Sequence, residues 1–370
     1  MIGFDGSLTV DDPGANPFSP PLNEAMPRRM DAPRSVVIIK LSAIGDVLHG
    51  VPTAVALKRA FPGSTIGWVV EGRSADVLAG HRAIDHLFRL PRGWLKSPRQ
   101  VAGLRRELRR FRPDVTLDLQ GLLKSGVAAL LSGSPIRIGH ARPEAREGSW
   151  LACNRRVLAT ASHVVDRNLD LLSPLGIASP AVGFEMPHWP VSRQRVAGWL
   201  EPLRQPSTPV VLNPGAGWAS KRWPAERFAA LAQSIWRHRG IRSLVIWGGA
   251  AEEATAREIV AAAGDAAILA PATSLQDLGE LFRMTPLLVS ADTGPLHLAA
   301  AVGTRCVGLF GPVPAGRNGP YGGGHVVVEP PLHLRPQWAD RKTDSVAMAA
   351  ISVDAVQAAV ETALSRADAA

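Results

Sequence analysis

Ser35-Val36-Val37-Ile38-Ile39-Lys40 runs through the short stretch Leu41-Ser42-Ala43-Ile44-Gly45 into Asp46-Val47-Leu48-His49, and this segment decides the architecture of the chain. Its first part is a continuous β-branched run without polar alternation, the pattern of a strand buried on both faces of a parallel sheet. After the loop, apolar residues recur at Val47, Leu48, Val51, Val55 and Leu57 until Pro62-Gly63. That spacing predicts a helix with one apolar face. The rhythm continues with a strand at Thr65 to Val70, a helix from Pro98 to Phe111, a strand at Val115 to Leu119 and a helix from Leu122 to Leu131 closed by Gly133. Strands alternating with helices predict an α/β fold with a parallel, doubly wound sheet.

A stretch rich in Pro, Arg and Trp lies between Ser179 and Pro209, with a short helix predicted near Val191 to Leu200. Beyond it the alternation restarts: strand Val210 to Leu212, loop Asn213 to Trp223, a helix opened by Pro224 and ended before Gly240, and strand Leu244 to Trp247. There follow the Gly248-Gly249 turn, a helix from Glu252, a capping box at Ser274-Leu275-Gln276-Asp277, strand Leu287 to Ser290, helix Leu296 to Ala301 and strand Arg305 to Phe310. The predicted organisation is a disordered tail over 1–33, a first Rossmann-like domain over 34–190, a linker over 191–208 and a second Rossmann-like domain over 209–345. An amphipathic helix within 346–370 is predicted to return to the first domain. Two such halves leave a cleft between the carboxyl ends of their sheets, where open α/β sheets bind ligands.

The 370 residues are 46% hydrophobic, enough for two cores. The formal charge of +9 points to an anionic partner such as nucleic acid, a phosphorylated glycolipid or an anionic membrane face, although the excess of arginine over six lysines also fits a coding bias. Cys153 and Cys306 are far apart and outside metal-ligand spacing, which argues against a disulfide framework or structural zinc and for a reducing cytoplasm. The first thirty residues lack an apolar segment of signal-peptide type, and no apolar run approaches a membrane span, so membrane contact is expected to be peripheral.

Several residues could carry chemistry. Asp46, at a helix start beside the cleft, reads either as a helix-capping carboxylate or as a general base at the positive end of the helix dipole. Gly215, Ala216 and Gly217, followed by Lys221 and Arg222, join a buried strand to a helix start and form a candidate diphosphate loop. Asp292, Thr293, Gly294 and His297 make a second loop of the same type. Asp292 could instead cap its helix, and His297 could be a buried structural histidine. Glu252 and Glu253 could accept bonds from ribose hydroxyls or merely complement a helix dipole. Asp118 and Gln120, at a strand end, are candidate sugar or acceptor contacts. From Arg92 to Arg112, eight basic residues including Lys96, Arg99, Arg105 and Arg106 face the single acid Glu107. They form either a solvated helix face or a surface for an anionic lipid or phosphorylated saccharide. Nucleic acid fits less well, because the chain holds one tyrosine, Tyr321. No Walker-A loop, no Gly-x-Gly-x-x-Gly after the first strand and no Asp-x-Asp is present, which lowers the case for ATP, NAD or metal-templated chemistry.

Four segments in order, Lys40 to His49, Asp118-Leu119-Gln120-Gly121, Asn213-Pro214-Gly215 through Lys221-Arg222-Trp223-Pro224, and Asp292 to His297, together resemble glycosyltransferase family nine, the lipopolysaccharide heptosyltransferases. The likeness spans roughly 34–357. Trp68-Val69-Val70-Glu71, Gln120 to Ser125, and Ala145-Arg146-Glu147 with Asn154-Arg155 look like type I rather than type II, although Ala216 and Gly217 stand where type I members often carry a threonine pair. The resemblance implies a GT-B fold and inverting, metal-independent transfer of heptose from ADP-heptose to Kdo-lipid A at the cytoplasmic face of the inner membrane. No cofactor or metal is implied, and no nucleic-acid partner. It makes Asp46 the base, Lys221 the stabiliser of the departing diphosphate, and Thr293 and Gly294 its amide cradle. Glu252 then binds the ribose, Asp292 and His297 line the heptose side, and the Arg92 to Arg112 stretch faces the acceptor. Another nucleotide sugar, epimerisation, or a non-catalytic nucleotide- or glycolipid-binding module are the alternatives.

Overall fold

The computed structural model describes residues 32–204, 207–337, 340–343 and 345–368. The tail expected over 1–33 therefore lies, up to residue 31, outside the described residues. Among the described residues the chain forms two six-stranded sheets whose strand pairings are parallel. The first has the order β3-β2-β1-β4-β5-β6 and comprises β1 (Ser35–Ile39), β2 (Thr65–Glu71), β3 (His86–Leu90), β4 (Val115–Asp118), β5 (Ile136–His140) and β6 (Arg155–Val157). The second comprises β7 (Val210–Asn213), β8 (Ser243–Val245), β9 (Ala267–Leu269), β10 (Leu287–Ala291), β11 (Arg305–Leu309) and β12 (Val326–Val328). Its order, β12-β11-β10-β7-β8-β9, is the same topology repeated. The expected doubly wound α/β architecture is present, with two Rossmann-like halves in a GT-B arrangement.

Helices cover both faces of each sheet. In the first half α1 (Ile44–Ala60) and α4 (Val164–Asp170) pack on the face of Val36 and Ile38. Leu104 and Leu108 of α2 (Pro98–Phe111) and Ala128 and Ala129 of α3 (Leu123–Ser132) pack on the opposite face, against Val37 and Ile39. In the second half α6 (Ala225–Arg239) and α7 (Ala250–Ala263) cover the face of Val210 and Leu212. The other face, Val211 and Leu288, meets α8 (Leu275–Arg283) and α9 (Gly294–Ala301). Those two helices share one continuous apolar cluster with α1 and α4, so the halves are joined by buried side chains as well as by the chain itself.

Two expectations change. The segment expected as a linker over 191–208 opens with α5 (Pro190–Leu200), which packs on α8. Arg195 donates to both oxygens of Asp277 at 2.9 Å, and the Trp189 N–H donates to Glu280, a fully buried carboxylate that also holds Arg283. This joint is fixed to the second half. After the single turns α10 (Ala315–Asn318) and α11 (Val346–Ala349), the last helix, α12 (Val353–Asp368), does not return to the first domain. Val356, Ala359, Val360, Ala363 and Leu364 form one stripe and bury against the second half, over β10 to β12 and α6. The stripe covers the β10 to β12 part of the same face that α6 and α7 cover over β8 and β9.

Both cysteines are free and buried, and burial pushes the Cys153 thiol up to about 12. His140, at the end of β5, is also buried. Burial first, then the positive charges of Lys40 and Arg167, lower its pKa to about 4, against the usual 6.5. A neutral His140 therefore supports the fold fully above pH 6.5, and this support is lost as the pH falls towards 4, worth about 3 kcal/mol in all. Denaturant unfolding at pH 7 and pH 4.5 is expected to show a smaller acid loss of stability in His140→Gln than in the native chain. His49, His81 and His163 are shifted in the same direction by burial, so some acid sensitivity will remain.

A candidate active site between the two halves

β1 and β4 are neighbours whose connections leave in opposite directions, and so are β7 and β10. Such switch points open a crevice at the carboxyl ends of the strands. At the first of them Lys40 is buried and donates from Nζ to the Leu119 carbonyl at 2.6 Å, while the N–H groups of Leu41 and Ser42 donate to Gln120 Oε1 at 3.0 and 3.4 Å. The loop after β1 is thus clamped to the turn after β4. Burial lowers the Lys40 pKa, opposed by the negative charges of Asp46 and Asp118. Asp46 is the third residue of α1, half-buried, and its Oδ2 accepts from the Ala43 N–H at 3.1 Å. Its capping contact is real, and it sits at the positive end of the helix.

At the second switch point Asn213 donates from Nδ2 to Ser290 Oγ at 2.9 Å and to Thr293 Oγ1 at 3.1 Å, tying β7 to the start of α9. Glu252 accepts from the Gly248 N–H at 2.8 Å and lays its carboxylate against Gly215, where any Cβ would collide with it. A side chain at 215 would displace that carboxylate. Lys221 reaches from the phosphate-type loop to Asp292 Oδ2 at 2.5 Å, with its ammonium 4.6 Å from the centre of the Trp218 ring. His297 contacts the other Asp292 oxygen at 3.0 Å. Burial alone would raise the Asp292 carboxyl, but the hydrogen bonds and charges of His297 and Lys221 hold it well below the usual carboxylate range.

The halves meet where α1 and α9 begin. Gly45 lies against the His297 ring, and Gly294, the first residue of α9, lies against Ile44. His49 of α1 contacts His297 Nδ1 through Nε2 at 3.2 Å. Beside this contact is a cavity of about 640 Å³, within the range of small-ligand sites. Its first-half wall is Ser42 to Gly45 with Glu71, Arg73, Ser74 and Arg92. The second half supplies Asn213, Gly215 to Gly217, Glu252, Thr293 to Pro295, and an apolar end of Ile246, Trp247, Leu275 and Leu278.

The cavity therefore collects Gly215, Ala216, Gly217, Glu252, Thr293 and Gly294, with Lys221, Asp292 and His297 bonded behind the last two. Asp46 follows the wall residue Gly45. The acceptor-side expectations fare differently. Asp118 is 1% exposed, with Oδ1 accepting from the N–H groups of Gln120 and Gly121 and Oδ2 from Ser125 Oγ. It shapes a turn, as Gln120 does, and neither lines the cavity. Lys96, Arg99, Arg105 and Arg106 stand exposed at and along α2, whose buried side is Leu104 and Leu108, so they point away from the sheet rather than into the cleft. Of that basic stretch it is Arg92 that lines the cavity. Arg73 was not legible as a site residue, since nothing local marks the turn after β2 as part of a cleft. Among the described residues no group of three or more His, Cys, Asp or Glu side chains is placed to hold a metal, and no helix is long and apolar enough to cross a membrane.

A family model described as glycosyltransferase family 9 (heptosyltransferase) matches residues 101–345. The chain belongs to this family. It is a glycosyltransferase. Among family 9 relatives, lipopolysaccharide heptosyltransferase 1 of Pseudomonas aeruginosa is 32% identical over 303 residues, 78% of this chain and 81% of that protein. The structure of the Escherichia coli heptosyltransferase WaaC with ADP superimposes with a TM-score of 0.73 at 25% identity, covering 89% of this chain and 99% of that one. The same enzyme with ADP-2-deoxy-2-fluoro heptose gives 0.70 at 25% identity, over 88% and 99% of the two chains.

The α1–α9 contact makes a family 9 site testable by volume alone. A Cβ at Gly45 would fall 2.5 Å from the His297 ring and one at Gly294 3.0 Å from Ile44, whereas Gly217 has open space around it. Gly45→Ala and Gly294→Ala are each expected to lower unfolding free energy by about 1–3 kcal/mol, the usual cost of overpacking. Gly217→Ala is expected to leave it within about 0.5 kcal/mol. Chemical denaturation of the three variants checks this.

Proposed function

We propose that this family 9 glycosyltransferase moves heptose from ADP-heptose to Kdo-lipid A in assembly of the lipopolysaccharide inner core, with inversion and without a metal. One observation carries the reading: the starts of α1 and α9 wall one interdomain cavity, with Asp46 next to its first-half wall and the Lys221–Asp292 pair next to its second-half wall. The donor fits the second half. Its adenine would rest on Leu275 and Leu278, its ribose hydroxyls would bond Glu252, and its diphosphate would meet Lys221 and the N–H groups that open α9. The WaaC complexes with ADP and with ADP-2-deoxy-2-fluoro heptose support this choice of donor.

The acceptor hydroxyl attacks the anomeric carbon while Asp46 takes its proton. The carbon–oxygen bond to the diphosphate breaks on the opposite side, and the electron pair leaves with ADP, whose growing charge Lys221 and the α9 dipole stabilise. Arg73 and Arg92, on the first-half wall, suit a phosphorylated or carboxylated acceptor. The chain would work at the cytoplasmic face of the inner membrane as a peripheral protein. The exposed arginines of α2, beside exposed Leu123 and Leu130 one face apart on α3, support docking to anionic lipid.

Purified Asp46→Asn is expected to bind ADP as the native chain does yet form no heptosylated Kdo-lipid A by mass spectrometry. Lys221→Ala is expected to lower kcat roughly a hundredfold. Full transfer by Asp46→Asn would overturn the assigned base. In vesicle co-sedimentation the native chain is expected to bind phosphatidylglycerol-containing vesicles and to ignore pure phosphatidylcholine, and Arg105→Glu with Arg106→Glu to weaken that binding.

A further inference from the structure

His49 has no part in the chemistry above, and its surroundings give it one. It belongs to α1 of the first half, is 3% exposed, and its backbone carbonyl accepts from Asn168 Nδ2 at 3.0 Å, which fixes the turn that carries it. Its ring lies 4.3 Å from that of His297, centre to centre, in an edge-on arrangement. Asp292 offers only acceptors, so His297 donates to it from Nε2. The other His297 nitrogen, Nδ1, faces His49 Nε2 at 3.2 Å, and one of the two donates to the other. His49 Nδ1 is buried and has no hydrogen-bond partner among the described residues. An imidazole with one orphaned nitrogen is a costly way to fill space that leucine could fill, so the contact made by Nε2 is what the position supplies.

We propose that His49 is a positioning residue for Lys221, acting across the domain boundary through His297 and Asp292. The contact with His49 fixes the plane of His297, which holds Asp292, which in turn aims the Lys221 ammonium at the leaving diphosphate. The cradle on the second half is thereby completed by a side chain of the first, so that leaving-group stabilisation is full only when the halves are in contact. Burial and the neighbouring His297 and His163 keep His49 uncharged, in keeping with this role.

This inference rests on the proposed transfer reaction, and four variants test it with ADP-heptose and Kdo-lipid A. His49→Leu is expected to lower kcat about tenfold to a hundredfold, the cost of a lost bond in a charged network, with the donor KM within about twofold. His49→Gln, whose amide reaches the place of Nε2, is expected to restore most of the rate. His49→Asn, equally polar but one bond shorter, is expected to resemble His49→Leu. In a His297→Leu background, His49→Leu is expected to change kcat by less than about twofold, since its route is already cut. Native kcat in His49→Leu, equal losses in His49→Gln and His49→Asn, or independent multiplying losses with His297→Leu would each overturn it. The imidazole ¹⁵N shifts of His297 read the same contact without turnover. They are expected to move in His49→Asn and stay near native in His49→Gln, and shifts that ignore residue 49 would overturn the inference. A native chain that transfers no heptose contradicts the proposed function instead, and leaves the ¹⁵N result to decide the role of His49.

Discussion

Two helix N-termini, those of α1 and α9, are pressed together from opposite halves of the molecule, and the rest of the site depends on that contact. Each brings a partial positive charge and a set of N–H groups with no partner inside its own helix. Bringing two such ends together is unfavourable unless negative charge lies between or beside them. Asp46 and Asp292 supply part of it. Steric fit sets a second condition. Gly45 and Gly294 are where each helix meets a bulky side chain of the other half: a methyl group at 45 would collide with the His297 ring, and one at 294 would crowd Ile44.

From this contact the chemistry is laid out in a line. Asp46 comes from the loop after β1, held by Lys40 and Gln120. Lys221 comes from the loop after β7, held by Asp292. Lys40 and Asp292 are buried and hydrogen-bonded, so the proposed base and the proposed stabiliser of the leaving group are placed before any ligand arrives. That is the arrangement expected of a catalyst that works by orientation and by fixed charge rather than by a bound cofactor. The apolar cluster shared by α1, α4, α8 and α9 also limits how far the halves can separate without exposing side chains to water.

What could be read from the amino-acid sequence follows burial closely. β1, β7 and β10 are central strands covered on both faces, so their runs of Val, Ile and Leu stand out. β3 and β6 are edge or near-edge pieces, His86 to Leu90 with alternating exposure and Arg155 to Val157 mostly exposed, and such short polar strands resemble loops. The second-half wall of the cavity was legible because its glycines and its acid fall at strand ends in sequence. The first-half wall was not. Asp118 and Gln120 stand at a strand end too, but their side chains turn back to bond their own loops, which only the packing reveals. The basic run was a true cluster, yet α2 turns its arginines to solvent, and only Arg92, before the helix begins, reaches the cavity. The last helix was correctly seen as amphipathic. Which sheet its stripe would cover depended on which part of a face α6 and α7 left open, a property of the whole fold.

The central claim is that the start of α9, with Lys221, is a diphosphate cradle facing Asp46. A crystal structure of the native chain soaked with ADP tests it most directly. The account predicts the diphosphate within about 3 Å of Lys221 Nζ and the Gly294 N–H, the ribose on Glu252 and the adenine against Leu275 and Leu278. ADP bound in the cleft with its phosphates turned away from Lys221, or bound outside the cleft altogether, would contradict it.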